Sequence, residues 1–167
     1  MGDAAIRPGR ESDLPGLTEL YNHYVRETPI TFDIEPFSVE QRLAWFRGFG
    51  GAGRHRLLVA EQGGSVVGFA SSRRFRDKAA YDRSVETTVY LAPGAVGAGL
   101  GTRLYRALFA ELAAEDAHRA LAGITLPNPA SLALHRSFGF EPVGVFHQVG
   151  YKFGRYWDVQ WLEKPLR

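Results

Sequence analysis

Gly97, Gly99 and Gly101 stand two residues apart in VGAGLGTRLY, residues 96–105, just ahead of a leucine-spaced segment. Each glycine costs conformational entropy on folding and weakens a helix it enters. Three together therefore point to a backbone that something must approach closely. The first amide groups of a helix have no intrahelical partner and face the positive end of its dipole, so a glycine-rich strand-to-helix junction can hold a phosphate on N–H groups alone. The alternative is an ordinary turn. The spacing is GxGxG rather than GxGxxG, and Thr102 follows Gly101 without the lysine of a P-loop. Arg119 stands near the place where a dinucleotide fold has its acidic ribose partner.

Other residues carry chemistry of different kinds. Glu86 lies in a β-rich run with Val85, Thr87 and Val89. A carboxylate among β-branched residues is a candidate for a raised pKa and for accepting a proton; a solvent-facing strand residue is the alternative. Arg74, Arg76 and Lys78 alternate through the basic stretch from Arg73 to Lys78. Alternation in an extended segment aims them to one side, where they would meet an anionic group; an exposed charged turn is the other reading. Asn128 precedes Pro129 in the place of a helix cap. His23, His55, His118 and His147 show no ligand-like spacing, so no metal site is expected. The absence of cysteine excludes disulfides, thiolate metal sites and a protein-borne thiol nucleophile.

These residues need elements to position them. A chain of 167 residues, 45% hydrophobic and 23% charged, is expected to form one domain, residues 1–167. Asp13 is expected to cap a helix carrying Leu14, Leu17, Leu20, Tyr21 and Tyr24, and Ser38 with Gln41 to open a second by a capping box. Pro29 to Pro36 reads as a loop between them. Arg56–Glu61 and Ser65–Ser72 flank Gly63-Gly64 as a hairpin, and Ser84–Leu91 extends it to an antiparallel meander. Leu100, Leu104, Leu108 and Leu112 set a helix from about Leu100 to Ala114. A strand Leu121–Thr125, a helix Asn128–Phe138 ended by Gly139, and strands Val143–Tyr151 and Trp157–Leu162 follow. No apolar run approaches the roughly 18 residues that span a bilayer. The start MGDAAI lacks the regions of a secretory signal, and Ile6 does not suit a myristoylation motif. With a formal charge of only +2 and scattered basic residues, the expectation is a cytoplasmic protein without nucleic-acid or membrane partners.

Val96-Gly97-Ala98-Gly99-Leu100-Gly101 resembles the signature of the GNAT superfamily of N-acetyltransferases, Gln/Arg-x-x-Gly-x-Gly/Ala, with Val96 where Gln or Arg is usual. Over nearly the whole chain the likeness is to the branch of phosphinothricin and methionine sulfone or sulfoximine acetyltransferases. It is carried by Thr31–Pro36, Arg74–Tyr81, Glu86–Leu91, Leu126–Asn128 with Ser131 and His135, and Gly150–Gly154 with Trp157–Val159. Lys78 replaces an arginine often found in that branch.

The resemblance implies an α/β (α+β) GNAT fold, a mixed, mostly antiparallel sheet splayed into a V and flanked by about four helices. It implies acetyl-CoA as cofactor, its diphosphate on the backbone of Val96, Gly97, Ala98, Gly99, Leu100, Gly101 and Thr102. The pantetheine arm would lie against Val89, Tyr90 and Leu91, with Asn128 and Ser131 beside it. Glu86 would take a proton from the substrate ammonium. His135, where many members have a tyrosine, would protonate the leaving thiolate. Phe32, Tyr81, Arg74, Arg76 and Lys78 would form the substrate pocket, with Arg76 as the carboxylate partner. The activity implied is direct transfer of acetyl to the α-amino group of phosphinothricin, methionine sulfoximine or methionine sulfone, as in herbicide or antibiotic resistance. Acetylation of another small amine and non-catalytic acyl-CoA binding are the alternatives. Tyr151, Phe153, Tyr156 and Trp157 would serve a homodimer surface, or else a monomer's core.

Overall fold

The computed structural model describes residues 3–167. Met1 and Gly2, at the head of the stretch read above for targeting signals, lie outside the described residues. Gly63 and Gly64 both adopt left-handed backbone, with φ of 57° and 78°. A two-residue turn of this kind matches the twist of the strands it joins. It folds Leu57–Gln62 (β2) back on Ser65–Arg74 (β3), which pairs antiparallel with Ser84–Leu91 (β4). The expected meander is thus present, and Ala5–Pro8 (β1) adds a strand on the outer side of β2.

Beyond β4 the chain crosses over through a helix, Leu100–Leu112 (α3), and returns as Arg119–Thr125 (β5). β5 lies parallel to β4, a pairing that requires such a crossover. The two strands pair only over Ser84–Glu86 against Arg119–Leu121. Past Glu86 they part. β5 continues against Arg155–Pro165 (β7), and β7 against Glu141–Lys152 (β6). The result is a seven-stranded sheet in the order β1-β2-β3-β4-β5-β7-β6, antiparallel everywhere except β4–β5. Both C-terminal strands outrun their apolar alternation because the ladder extends to Lys152 and Arg155 at the Phe153-Gly154 turn.

Each face of the sheet has its own core. Leu100, Leu104, Leu108 and Leu112 of α3 are buried against Ala70, Val85, Ala120 and Leu162. The opposite face carries Leu14–Glu27 (α1) and Val39–Phe46 (α2), where Leu17 and Leu20 close over Leu57, Val59 and Phe69. Phe69 and Ala70 are consecutive, so the two faces of β3 feed two different cores. Ser38 and Gln41 form the reciprocal capping box of α2. Asp13, by contrast, does not cap α1. Its carboxylate accepts two bonds from Arg7 at 2.8 and 2.7 Å and one from the Arg10 N–H at 2.7 Å. The bidentate, charge-assisted pair with Arg7 takes up the carboxylate that would otherwise cap the helix. A last helix, Pro129–Ser137 (α4), takes Asn128 as its cap and ends before Gly139 at φ 82°. Among the described residues no helix is long and apolar enough to cross a membrane.

Candidate active site

Strand periodicity puts Phe69, Ser71 and Arg73 on one face of β3 and Glu86, Thr88 and Tyr90 on the same face of β4. The register sets them in opposite pairs, Phe69 with Tyr90, Ser71 with Thr88 and Arg73 with Glu86. The first pair stacks at 5.3 Å and the second shares a hydrogen bond of 2.9 Å. All six line a cavity of about 490 Å³. Tyr21, Phe32, Arg42 and Trp45 wall it on one side and Trp161 of β7 on the other. Its size and mixed lining suit a small polar ligand. Burial holds the Glu86 pKa above the usual carboxylate value of 4.5, against the opposing charges of Arg73 and Arg76. A carboxylate so placed is a better base than one in water.

A second, narrower cleft opens where β4 and β5 diverge. It is lined by Thr87, Val89 and Tyr90 from β4, residues 122–125 of β5, Tyr105 of α3, and Asn128, Ser131 and His135. Cavity and cleft share Thr88, Tyr90, Gly123 and Thr125, so they meet through the parted strands. Asn128 Oδ1 accepts the Ser131 N–H at 3.1 Å, which is the cap; its amide NH₂ is left for other partners. The Leu91 carbonyl accepts the Tyr24 hydroxyl at 2.6 Å.

His135 is 3% exposed and fully engaged. Its Nδ1 lies 2.7 Å from the Ser131 carbonyl, which can only accept, so Nδ1 carries the proton. Nε2 then presents a lone pair to the Tyr105 hydroxyl at 2.8 Å. Burial also lowers the His135 pKa, against the Ser131 bond, so the neutral ring is favoured. A neutral His135 in this tautomer turns a lone pair to Tyr105 and commits its one proton to the Ser131 carbonyl, an arrangement unlike the proton donor the resemblance implies. Burial pushes the Tyr105 pKa upward, so its hydroxyl keeps its proton.

The glycine loop leads into α3. Gly97 and Gly99 have φ of 87° and 72°, and no atom lies within 4 Å of a Cβ added at either. The backbone conformation, not crowding, demands glycine there. Gly99 is the N-cap without a side-chain bond, and the first closing bond runs from the Arg103 N–H to its carbonyl. The N–H groups of Leu100, Gly101 and Thr102 therefore precede the helical ladder. Gly101 is different, since a Cβ there would make only ordinary contacts at 3.4 and 3.7 Å. Val96 is 60% exposed at the mouth of the loop.

Of the residues singled out from sequence, Glu86 and Phe32 line the cavity, and Val89, Tyr90, Asn128, Ser131 and His135 line the cleft. Of the basic stretch only Arg73 lines the cavity; Arg74, Arg76, Lys78 and Tyr81, expected in the substrate pocket, are outside its lining. β3 ends at Arg74, which turns to Asp82 at 3.6 Å. Beyond it the chain bends, so alternation no longer aligns Arg76 and Lys78. Arg76 lies over the rings of Phe75 and Tyr81 at 4.9 and 5.9 Å, and Phe75 packs edge-on against Trp161. Arg73, Arg42, Trp161 and Tyr105 line the site without having been singled out. For Arg73 the signal is the two-residue spacing from Phe69 through Ser71. Among the described residues no cluster of three His, Asp or Glu side chains could hold a metal ion.

Residues 17–140 match the model of the Acetyltransferase (GNAT) family. The chain is 57% identical to a phosphinothricin N-acetyltransferase of Streptomyces coelicolor, over 98% of this chain and 97% of that protein. It is 36% identical to an L-methionine sulfoximine/L-methionine sulfone acetyltransferase of Pseudomonas aeruginosa, over 98% and 95%. The crystal structure of a GNAT superfamily phosphinothricin acetyltransferase from Sinorhizobium meliloti in complex with acetyl-CoA superposes with a TM-score of 0.92 at 32% identity, covering 98% of this chain and 89% of that one.

Proposed function

The chain belongs to the GNAT acetyltransferase family, and we propose that it moves the acetyl group of acetyl-CoA to the α-amino nitrogen of a small amino acid of the phosphinothricin or methionine sulfoximine type. The observation that carries this reading is the parting of β4 and β5 beyond Glu86. It joins the cavity lined by the half-buried Glu86 carboxylate to the narrow cleft between the parted strands.

Coenzyme A offers a diphosphate and an amide-bearing arm. The residues present fit both. Two glycines in left-handed backbone and the free N–H groups at the start of α3 suit a diphosphate. The edge of β4 past Glu86 has no strand partner on the β5 side and suits an added strand of amides, with Val89 and the Asn128 NH₂ alongside. Val96 removes one polar side chain from the loop and leaves these backbone donors intact. When bound, acetyl-CoA supplies a thioester carbon open to attack by an amine.

The chain's own residues do the rest. Glu86, with its raised pKa, accepts a proton from the acceptor's ammonium and frees its lone pair. Tyr105 keeps a proton at its hydroxyl in the cleft, held by the His135 Nε2 lone pair. Phe32 and Trp161 supply apolar walls to the cavity. No step requires an acyl-enzyme, in keeping with the lack of cysteine.

The β6–β7 hairpin supports a homodimer. Val143, Phe146, Val149, Tyr151, Phe153 and Tyr156 are each more than half exposed, so they do not serve this chain's core. Light scattering on a sizing column should give twice the 18.5 kDa chain mass.

The activity is tested by mixing the protein with acetyl-CoA and a panel of amines and following thiol release with a dye. Release on small amino acids is the expected result. Calorimetric uptake of coenzyme A without release on any amine would replace the enzyme by an acyl-CoA-binding module. No uptake by folded protein would overturn the reading altogether.

A further inference from the structure

Most of β6 faces outward, and only Gly150 and Lys152 near its end are buried. Both meet the irregular segment between α1 and α2. Gly150 leaves room for the Phe32 ring. Two residues on, and so on the same face, Lys152 is 5% exposed and its Nζ donates to the Thr31 carbonyl at 2.8 Å. Among the described residues this is the one hydrogen bond of the ammonium. The ring of Phe153 lies 5.1 Å from Nζ. The Asp33 carboxylate, whose charge reaches Lys152, takes the Tyr21 hydroxyl instead.

An ammonium withdrawn from water with donors unmet is costly, and an apolar side chain of the same length would fill the space at lower cost. Packing therefore does not account for a lysine here, and what its bond holds does. Thr31 is fixed from two sides, its carbonyl by Lys152 and its Oγ1 by the Tyr21 hydroxyl at 2.7 Å. Further along, Asn22 accepts the Phe37 N–H at 2.9 Å and donates to the Phe37 carbonyl at 2.8 Å. The segment lies outside every helix and ladder, so side chains of other elements supply its order. The residues beside Thr31 reach the site: Phe32 lines the cavity, and Ile30 lines both cavity and cleft.

We propose that Lys152 is a positioning residue for acetyl transfer, which by holding the Thr31 carbonyl keeps the Phe32 ring on Gly150 as a wall of the acceptor cavity. This rests on the acetyl-transfer reading above, which makes that cavity the acceptor's. Lys152 touches no reacting atom and acts through the next peptide unit. Without its donor the Thr31 carbonyl must turn to water, and Phe32 turns with it. Acceptor binding then falls by the fraction of molecules in which the ring is still in place.

The test follows acetylation of methionine sulfone in wild type, Lys152→Met, Phe32→Ala and the double variant, with thermal melts and hydrogen exchange over residues 28–37. Lys152→Met should fold, melt near wild type and exchange faster over residues 28–37 alone. Its KM for methionine sulfone should rise about tenfold, the loss of one charge-assisted hydrogen bond, while the KM for acetyl-CoA stays within about twofold. Where Phe32 is already alanine, the same substitution should leave the acceptor KM unchanged. A merely structural Lys152 would lower the melting temperature and disturb both KM values together. A Lys152→Met protein that does not fold, an unaltered acceptor KM, or the full rise persisting beside Phe32→Ala overturns the proposal. If wild type does not acetylate methionine sulfone, the parent reading fails for this acceptor class, and exchange over residues 28–37 decides Lys152 separately. Faster exchange there in Lys152→Met upholds its hold on the segment, and unchanged exchange removes it.

Discussion

Replacing Gly150 by alanine should weaken acceptor binding without touching the chemistry. A Cβ at Gly150 would stand 2.2, 2.3 and 2.7 Å from three ring atoms of Phe32, where ordinary contacts begin near 3.4 Å. The ring must therefore withdraw by more than an ångström. It can do so, because Phe32 is 37% exposed and sits in the irregular segment between α1 and α2, whereas Gly150 is tied into the β6–β7 ladder. Overpacking of this kind costs about 1–3 kcal/mol. If that cost falls on the conformer in which Phe32 walls the cavity, the acceptor KM should rise roughly 5- to 150-fold at about 1.4 kcal/mol per decade. The KM for acetyl-CoA should hold, since the glycine loop and Asn128 lie apart from Phe32. Steady-state kinetics over both substrates reads the split. The double variant Gly150→Ala with Phe32→Ala removes the clash, so its acceptor KM should equal that of Phe32→Ala alone. A folded Gly150→Ala protein with an acceptor KM within twofold of wild type would refute Phe32 as a wall of the acceptor cavity.

Three further outcomes follow from the site. Glu86→Gln should lower kcat/KM by about 10²–10⁴-fold and abolish the acid limb of the pH profile, which in wild type lies above pH 4.5 because burial raises the Glu86 pKa. The same burial makes the ionised side chain a liability, since a raised carboxylate pKa contributes stability at low pH that is lost as pH rises through it. Glu86→Gln should accordingly melt higher than wild type at pH 8 and lose that advantage below pH 4.5. With His135 neutral and its Nδ1 proton committed to Ser131, kcat should not decline between pH 6 and 8; a declining limb there that vanishes in His135→Asn would restore His135 as the proton donor. Gly99→Ala must hold alanine at φ 72° and should lose about 1–2 kcal/mol of stability and raise the KM for acetyl-CoA, whereas Gly101→Ala should fold normally and bind acetyl-CoA as wild type does. Thermal melts and calorimetry check the pair.

What the sequence exposes in this protein is whatever one segment decides for itself. The leucines of α3 recur every four residues and all are buried; Gly63-Gly64 closes its hairpin; Ser38 and Gln41 cap α2. The resemblance carried the splayed sheet, because the parting of β4 from β5 is a long-range pairing that ends after three residues and no local pattern marks where. The basic stretch shows the physical limit most clearly. β3 is covered on both faces, so Phe69, Ala70, Ser71 and Ser72 are all buried and the strand has no polar side from which to set the phase of its alternation. Arg73 and Arg74 are then indistinguishable by pattern, although one lines the cavity opposite Glu86 and the other pairs with Asp82. Arg42 is hidden for a related reason. On an amphipathic helix of eight residues a charged side chain reads as the solvent face, and only the closure of α2 over Tyr21 turns it inward. Tyr105 and His135 are thirty positions apart and meet only when α3 and α4 have docked. Arg42 and Tyr105, both missed from sequence, are thus polar groups whose burial is imposed by a second element. Their unmet donors and fixed tautomers are properties of the packed fold.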